Sequence, residues 1–303
     1  MAQKGISEAA AGRIEEWRHR GRFLRIWGEE VFAVDEGPRD APCLLLLHGF
    51  PSSSLDFHRV LGTLSERYRI LVHDHLGFGL SAKPGGYSYS LMEQADVALE
   101  VWRRSGVRRG HLAAHDYGTS IATELLARRR RKLLPMELES VTLSNGSVLL
   151  ELARLRLSQR LTRSPITGPL FTRLVRRSTI LRVLGRLWGD PEGADAIDLE
   201  AIWQGLEAGG GRRRMTQVSS YLAERIRFRD RWFGALEDLD LPALILWGDE
   251  DPVAVAAIAR RLAEAIPEAR LSWLPGVGHY PMLEAPEEWS EALLSFLSRL
   301  GAP

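Results

Sequence analysis

Short, continuously apolar runs separated by helical patterns constrain this chain more than any other feature. Cys43 to Leu47 is such a run and ends in His48-Gly49-Phe50-Pro51, as expected of a strand buried on both faces of a parallel sheet. Arg69 to His73 is another, ending in Asp74. His111 to His115 runs straight into Asp116, and Thr119 to Arg128 then has the composition of a helix. Ser140 to Leu143, Ala243 to Trp247 and Arg270 to Leu274 read as later strands, with helical patterns over Val253 to Ile266 and Glu287 to Leu300. Strands alternating with helices predict an α/β fold with a mostly parallel, doubly wound sheet. Alternation around Gly28-Glu29 adds an N-terminal hairpin over Arg22 to Val34. The rhythm breaks from Ser147 to about Arg231, a Leu- and Arg-rich stretch interrupted by Pro165, Pro169, Pro191 and Gly209-Gly210-Gly211. The expected organisation is therefore a core domain of residues 1–146 and 232–303 with a helical cap, residues 147–231, inserted in it.

The 303 residues suit one such domain, because single cores stop growing at roughly 250 to 300 residues. Forty Lys plus Arg against thirty-nine Asp plus Glu leave a formal charge of +1, which gives no global field for nucleic acid or an anionic membrane. A small neutral hydrophobic substrate and water fit better as partners. The basic runs Arg128 to Lys132 and Arg212 to Arg214 sit near helix ends or glycines and read as solvated cations. The lone cysteine, Cys43, has no internal disulfide partner and reads as a small hydrophobe in its strand. The first residues lack the apolar core of a signal peptide, and no window approaches the ~18 apolar residues of a membrane span. The cytoplasm is the expected compartment, and neither a metal nor another cofactor is expected. Oligomeric state is not legible.

Reactive groups of open α/β sheets collect at the carboxyl ends of the strands. Ala114-His115-Asp116-Tyr117-Gly118 has the shape of a G-x-S-x-G nucleophile elbow, with Asp for Ser and Ala for the first Gly. No true G-x-S-x-G occurs elsewhere, which disfavours a serine esterase. A lone Asp after a strand would ordinarily cap the next helix. A carboxylate at an elbow, however, is already anionic and can attack saturated carbon, leaving an ester that water must then hydrolyse. Elbow-type sites carry nucleophile, acid and His in chain order, and His279 is the only histidine downstream of Asp116. The acid is expected in Trp247-Gly248-Asp249-Glu250-Asp251-Pro252. Asp251 is the choice, three residues beyond the Gly, to orient and stabilise the imidazole; Asp249 is the fallback and Glu250 is expected in solvent. The backbone N–H groups of Phe50 and Tyr117 are the expected oxyanion donors, worth ~3 kcal/mol each in comparable sites. Asp74 to Ser81 lacks the spacing of a phosphate-binding loop and reads as a structural turn.

From about Trp17 to the last helix the chain resembles the aspartate-nucleophile branch of the α/β-hydrolases, which holds epoxide hydrolases and haloalkane dehalogenases. His48-Gly49-Phe50-Pro51-Ser52-Ser53-Ser54, Leu76-Gly77-Phe78-Gly79, His115-Asp116-Tyr117-Gly118, Leu143-Ser144-Asn145-Gly146 and Gly278-His279-Tyr280-Pro281 are most similar to the mesoderm-specific transcript group within it. The resemblance implies a covalent alkyl-enzyme ester on Asp116 hydrolysed by water that His279 activates. Epoxide hydrolases donate to the ring oxygen from cap tyrosines; here Tyr221 matches the second of the usual two, and the first has no counterpart. Dehalogenases hold halide with a Trp beside the nucleophile, where this chain has Tyr117 and Phe50. Trp188, Trp203 and His48 are the remaining candidates for the substrate pocket. Epoxide opening is therefore the leading expectation and haloalkane or haloacid dehalogenation the second. A catalytically weak or non-catalytic interaction protein on the same fold is the third.

Overall fold

The computed structural model describes residues 2–154, 162, 164 and 167–301. Among them, eight strands form one sheet: β1 (Gly21–Ile26), β2 (Glu29–Glu36), β3 (Cys43–Leu47), β4 (Arg69–His73), β5 (Arg109–His115), β6 (Glu137–Ser144), β7 (Ala243–Gly248) and β8 (Arg270–Leu274). The spatial order is β1-β2-β4-β3-β5-β6-β7-β8. β1 and β2 run antiparallel to their neighbours, and every later pairing is parallel. Leu44 to Leu47 and Ala243 to Gly248 are buried on both sides, which is what their unbroken apolar sequence requires. Cys43 opens β3 half-buried, and burial pushes its thiol up.

Helices cover the sheet: α1 (Ala2–Arg20), α2 (Leu61–Ser65), α3 (Leu91–Arg104) and α4 (Tyr117–Arg130) precede β6. Between β6 and β7 lie α5 (Gly168–Leu174), α6 (Arg177–Gly185), α7 (Ala196–Glu207), α8 (Met215–Val218), α9 (Tyr221–Arg227) and α10 (Arg229–Glu237). Then follow α11 (Ala256–Ala265), α12 (Pro281–Glu284) and α13 (Pro286–Ser298). The break expected at Pro165 lies outside the described residues. α10 already packs on α4, anchored by the buried Glu124 carboxylate, which accepts from Arg231 Nε at 2.8 Å and from Trp232 Nε1 at 2.8 Å. The chain thus returns to the sheet's flank at Arg229. No helix of the described residues is long and apolar enough to cross a membrane.

Three local expectations change. The hairpin turn is Trp27-Gly28, one residue earlier than Gly28-Glu29, because both residues adopt positive φ and Ile26 pairs with Glu29, the geometry of a two-residue hairpin turn. α11 starts at Ala256 rather than Val253, since Asp251 Oδ1 accepts the N–H groups of Val253 and Ala254 and holds that segment in a turn. The third is α1, which had no sequence signal because its residues are mostly polar. It nonetheless buries Ala10 and Trp17, and Trp17 Nε1 donates to Ser54 Oγ at 3.0 Å. The basic run after Arg128 is paired with carboxylates, Arg128 with Glu124 and Asp96, Arg129 with Asp240 and Arg130 with Asp238.

Elbow and sheet meet at Gly118. A Cβ there would lie 2.5 Å from the Leu47 carbonyl oxygen and 2.7 Å from Leu47 Cβ, so only glycine lets α4 start this close to β3. Gly118→Val is expected to cost about 3 kcal/mol through overpacking. Urea unfolding should show a lower midpoint at unchanged slope, and an unaltered midpoint would remove this account of the elbow.

Candidate active site

β5 delivers Asp116 to the carboxyl edge of the sheet in a conformation that L residues rarely adopt, φ 40° and ψ −105°. Its N–H donates to the Ser144 carbonyl at 3.1 Å, and its own carbonyl accepts the Thr119 N–H and hydroxyl. The side chain does not cap α4. This removes the ordinary explanation for an Asp between a strand and a helix. Instead Oδ2 accepts the Phe50 N–H at 3.0 Å, and His279 Nε2 stands 3.9 Å from the same oxygen. Tyr117 opens α4, so its N–H lies among those with no acceptor inside the helix.

His279 comes from the loop after β8. Its Nδ1 donates to Asp251 Oδ2 at 2.7 Å, so Nε2 is the nitrogen turned toward Asp116. Asp251 in turn accepts Asn145 Nδ2 at 2.9 Å on Oδ2, and the Val253 and Ala254 N–H groups on Oδ1. Asp249, the fallback acid, is exposed and accepts the Gly276 N–H at 2.8 Å; Glu250 is exposed as well. The geometry therefore joins Asp116, His279 and Asp251, with Phe50 beside them.

Electrostatics follow from burial and neighbours. Burial by itself would raise the Asp116 carboxyl, but the adjoining His279 and then the charge of Arg225 hold it far below the carboxylate range. Burial would likewise lower His279, yet the charge of Asp251 and the contacts with Asp116 and Asp251 push it well above the usual imidazole value. Asp251 stays below its usual value for the matching reasons: burial is outweighed by the His279 charge and its hydrogen bonds.

Four residues of the site carried no assigned role at the sequence level. Asn145, at φ 43°, bridges three segments: Oδ1 accepts the Gly248 N–H at 3.0 Å while Nδ2 donates to Asp251 and to the Gly278 carbonyl at 3.1 Å. Glu284 gathers the histidine loop, accepting the N–H groups of Gly189, Gly278 and Tyr280 at 2.8, 2.8 and 2.9 Å. His115 Nε2 donates to the His279 carbonyl at 2.7 Å, and burial lowers its pKa to about 4, so it is a neutral support. Arg225 lies behind the nucleophile, its guanidinium 4.6 Å from the centre of the Tyr221 ring. One turn of helix separates it from Tyr221, which is the signal that could have revealed it.

A cavity opens on Asp116 and His279 and is walled by Phe50, Pro51, Phe171, Val175, Ile180, Val183, Leu184, Leu187, Met215 and Val253, with Thr162, Thr172 and Thr179. The three sequence candidates for that wall are elsewhere. His48 is a structural bridge: it stacks on His75 at 4.1 Å, and its Nε2 accepts the His75 N–H at 3.0 Å. Trp188 lies against the Tyr280 ring at 4.8 Å, and Trp203 sits under the Arg212 guanidinium. Tyr221 is buried behind the wall, its ring 5.8 Å from Phe50 and 5.0 Å edge-on to Tyr117. Asp74 is buried in its turn and accepts the Ser54 and Leu80 N–H groups, a structural role. Among the described residues no cluster of three or more His, Cys, Asp or Glu side chains is placed to hold a metal.

Comparison with known proteins agrees with this architecture. The alpha/beta hydrolase fold family matches residues 42–286. LipZ of Mycobacterium tuberculosis, provisionally named a hydrolase, is 44% identical over 94% of this chain and 98% of its own length. The mesoderm-specific transcript homolog protein of Homo sapiens is 32% identical over 94% of this chain and 88% of its own. Among solved structures, haloalkane dehalogenase DbeA from Bradyrhizobium elkani superposes with a TM-score of 0.79 at 21% identity, covering 93% of this chain and 98% of that one, a likeness of fold. With a family match over most of its length and relatives this similar, the chain belongs to the α/β-hydrolase fold family.

Proposed function

We propose that the protein is a hydrolase that opens a carbon–heteroatom bond through a covalent ester on Asp116, and that its substrates are apolar epoxides. The observation that carries the reading is the Asp116 carboxylate at the elbow. It does not cap its helix, it is held by the Phe50 N–H, and it faces an imidazole backed by Asp251. In this mechanism an Asp116 oxygen attacks carbon and the ring C–O bond breaks, its electron pair leaving on the oxygen, which takes the Tyr221 hydroxyl proton. Water then attacks Cγ while its proton passes to His279 Nε2, and the charge formed on the former carboxylate is stabilised by the Phe50 N–H and, in our reading, the Tyr117 N–H. Collapse breaks the Cγ–O bond to the product, whose oxygen takes the proton held by His279; the water proton left on the Asp116 carboxyl returns to Tyr221, and the product leaves as a diol. The helices of residues 147–231 serve as the cap that supplies the apolar wall.

The two steps ask opposite things of His279, and the charges around it supply the change. Before reaction, Asp116 is one of the groups holding the imidazole in its charged form. Esterification discharges Asp116, which removes that contribution and lets His279 act as a base. The epoxide reading gives the Tyr221 hydroxyl the donor's role, acting from behind Phe50 of the cavity wall. Burial, then the Asp116 charge, raises its pKa and keeps it a donor. Dehalogenation is the competing outcome, and no Trp lies among the described wall residues.

Single-turnover reaction with styrene oxide in ¹⁸O-water should place label in the Asp116 carboxylate and not in the diol, with the ester trapped in His279→Gln. Label in the first-turnover diol would mean direct attack by water. Tyr221→Phe should slow epoxide opening by about 100-fold while sparing bromide release from 1-bromohexane; equal losses on both would remove the role given to Tyr221. With wild-type enzyme at about pH 5, below the ordinary imidazole value of ~6.5, ester formation should persist because Asp116 stays ionised, while hydrolysis slows because His279 is protonated. Acid-quenched samples analysed by intact mass should then hold more ester than at pH 8, and a constant ester fraction would contradict the base role.

A further inference from the structure

Arg225 is a buried cation whose surroundings make sense only beside an anion. It reaches in from α9 and is 2% exposed. Nε donates to Ser120 Oγ at 2.7 Å, Nη1 to Ser147 Oγ at 2.5 Å and Nη2 to the Asp116 carbonyl at 3.4 Å, all of them neutral acceptors. Among the described residues, the carboxylate that comes within 4.0 Å of the guanidinium is that of Asp116, through Oδ1. A charge taken out of water is tolerated where an opposite charge compensates it. The guanidinium is absent from the described cavity wall, so it acts on the nucleophile and not on substrate. Phe50 and His279 approach Oδ2, leaving Oδ1 on the Arg225 side.

We propose that Arg225 is a fixed counter-charge, a positioning residue that makes the Asp116 ester short-lived. The proposal rests on Asp116 being the nucleophile. When an Asp116 oxygen bonds to carbon and the leaving group departs with the electron pair, the ester is neutral and Arg225 is left buried without its anion. Attack of water on Cγ, with the proton going to His279 Nε2, restores negative charge beside it. Breaking the Cγ–O bond to the product, whose oxygen takes the proton held by His279, and loss of the remaining water proton then regenerate the carboxylate. The guanidinium field therefore opposes ester formation and assists ester breakdown. A residue that merely tied α9 to the core would treat both steps alike.

The test measures both steps in one experiment, by acid quench and intact-protein mass during reaction with styrene oxide and with 1-bromohexane. Arg225→Gln keeps hydrogen-bonding capacity toward the two serines but loses the charge. Ser147→Asp keeps Arg225 and supplies a second anion that neutralises it, so the proposal stays testable where Arg225→Gln fails to fold. In either variant ester breakdown should slow by about tenfold or more, equivalent to at least ~1.4 kcal/mol, while formation is not slowed, so ester accumulates at steady state. Arg225→Lys should restore rapid breakdown. Equal slowing of both steps, or no accumulation in either variant while His279→Gln accumulates ester, overturns the role of Arg225. Absence of ester in His279→Gln as well overturns the nucleophile reading and the proposal with it.

Discussion

Keeping one carboxylate ionised inside the protein is the constraint around which the rest is arranged. Asp116 is 4% exposed, and burial alone would favour its neutral form. The protein offsets this with a backbone donor from the loop after β3, an imidazole from the loop after β8 and a guanidinium from α9. These parts come from distant stretches of chain, and only the parallel order of β3, β5, β6, β7 and β8 brings their carboxyl ends to one edge. The strained elbow is tolerated because β6, Thr119 and the tight approach of Gly118 to Leu47 fix it from three sides.

The second layer is built from groups that hold loops, not groups that react. Asn145 joins the ends of β6 and β7 to the histidine loop, and Glu284 collects three backbone N–H groups around that loop. Glu284 satisfies the Gly278 N–H and Asn145 the Gly278 carbonyl, backbone groups that the Gly-rich sequence Gly276-Val277-Gly278 would otherwise leave open. Such supports decide whether a 3.9 Å approach between His279 and Asp116 is repeatable, since reacting groups need placement to within about 0.5 Å.

What could be read from the sequence follows from how each signal is encoded. Strands buried on both faces write themselves as unbroken apolar runs, so the sheet, Asp116, His279 and Asp251 were legible from position alone. α1 was not, because its buried face amounts to little more than Ala10 and Trp17 among polar residues. Asn145 in a Ser-Asn-Gly stretch looks like any turn. Arg225 is one of many arginines between Ser147 and Arg231, and composition makes every one of them look solvated. Its burial is a tertiary fact, set by where Ser120, Ser147 and Asp116 happen to meet. Trp188 and Trp203 misled for the opposite reason: aromatic residues at helical spacing pack against neighbours such as Tyr280 more readily than they face a substrate.

The inserted helices are fastened at several separated points. Near one end Arg225 grips the elbow through Ser120 and the Asp116 carbonyl; toward the other, Asp198 and Asp195 of the α7 start are held by Arg13 from α1 and Arg59 from the core. Helices pinned in this way cannot swing aside as one door. Between these points Phe171 of α5, Val175, and Ile180 and Val183 of α6 form part of the cavity wall over Asp116. The apolar surface that would select the substrate is then carried by those few side chains.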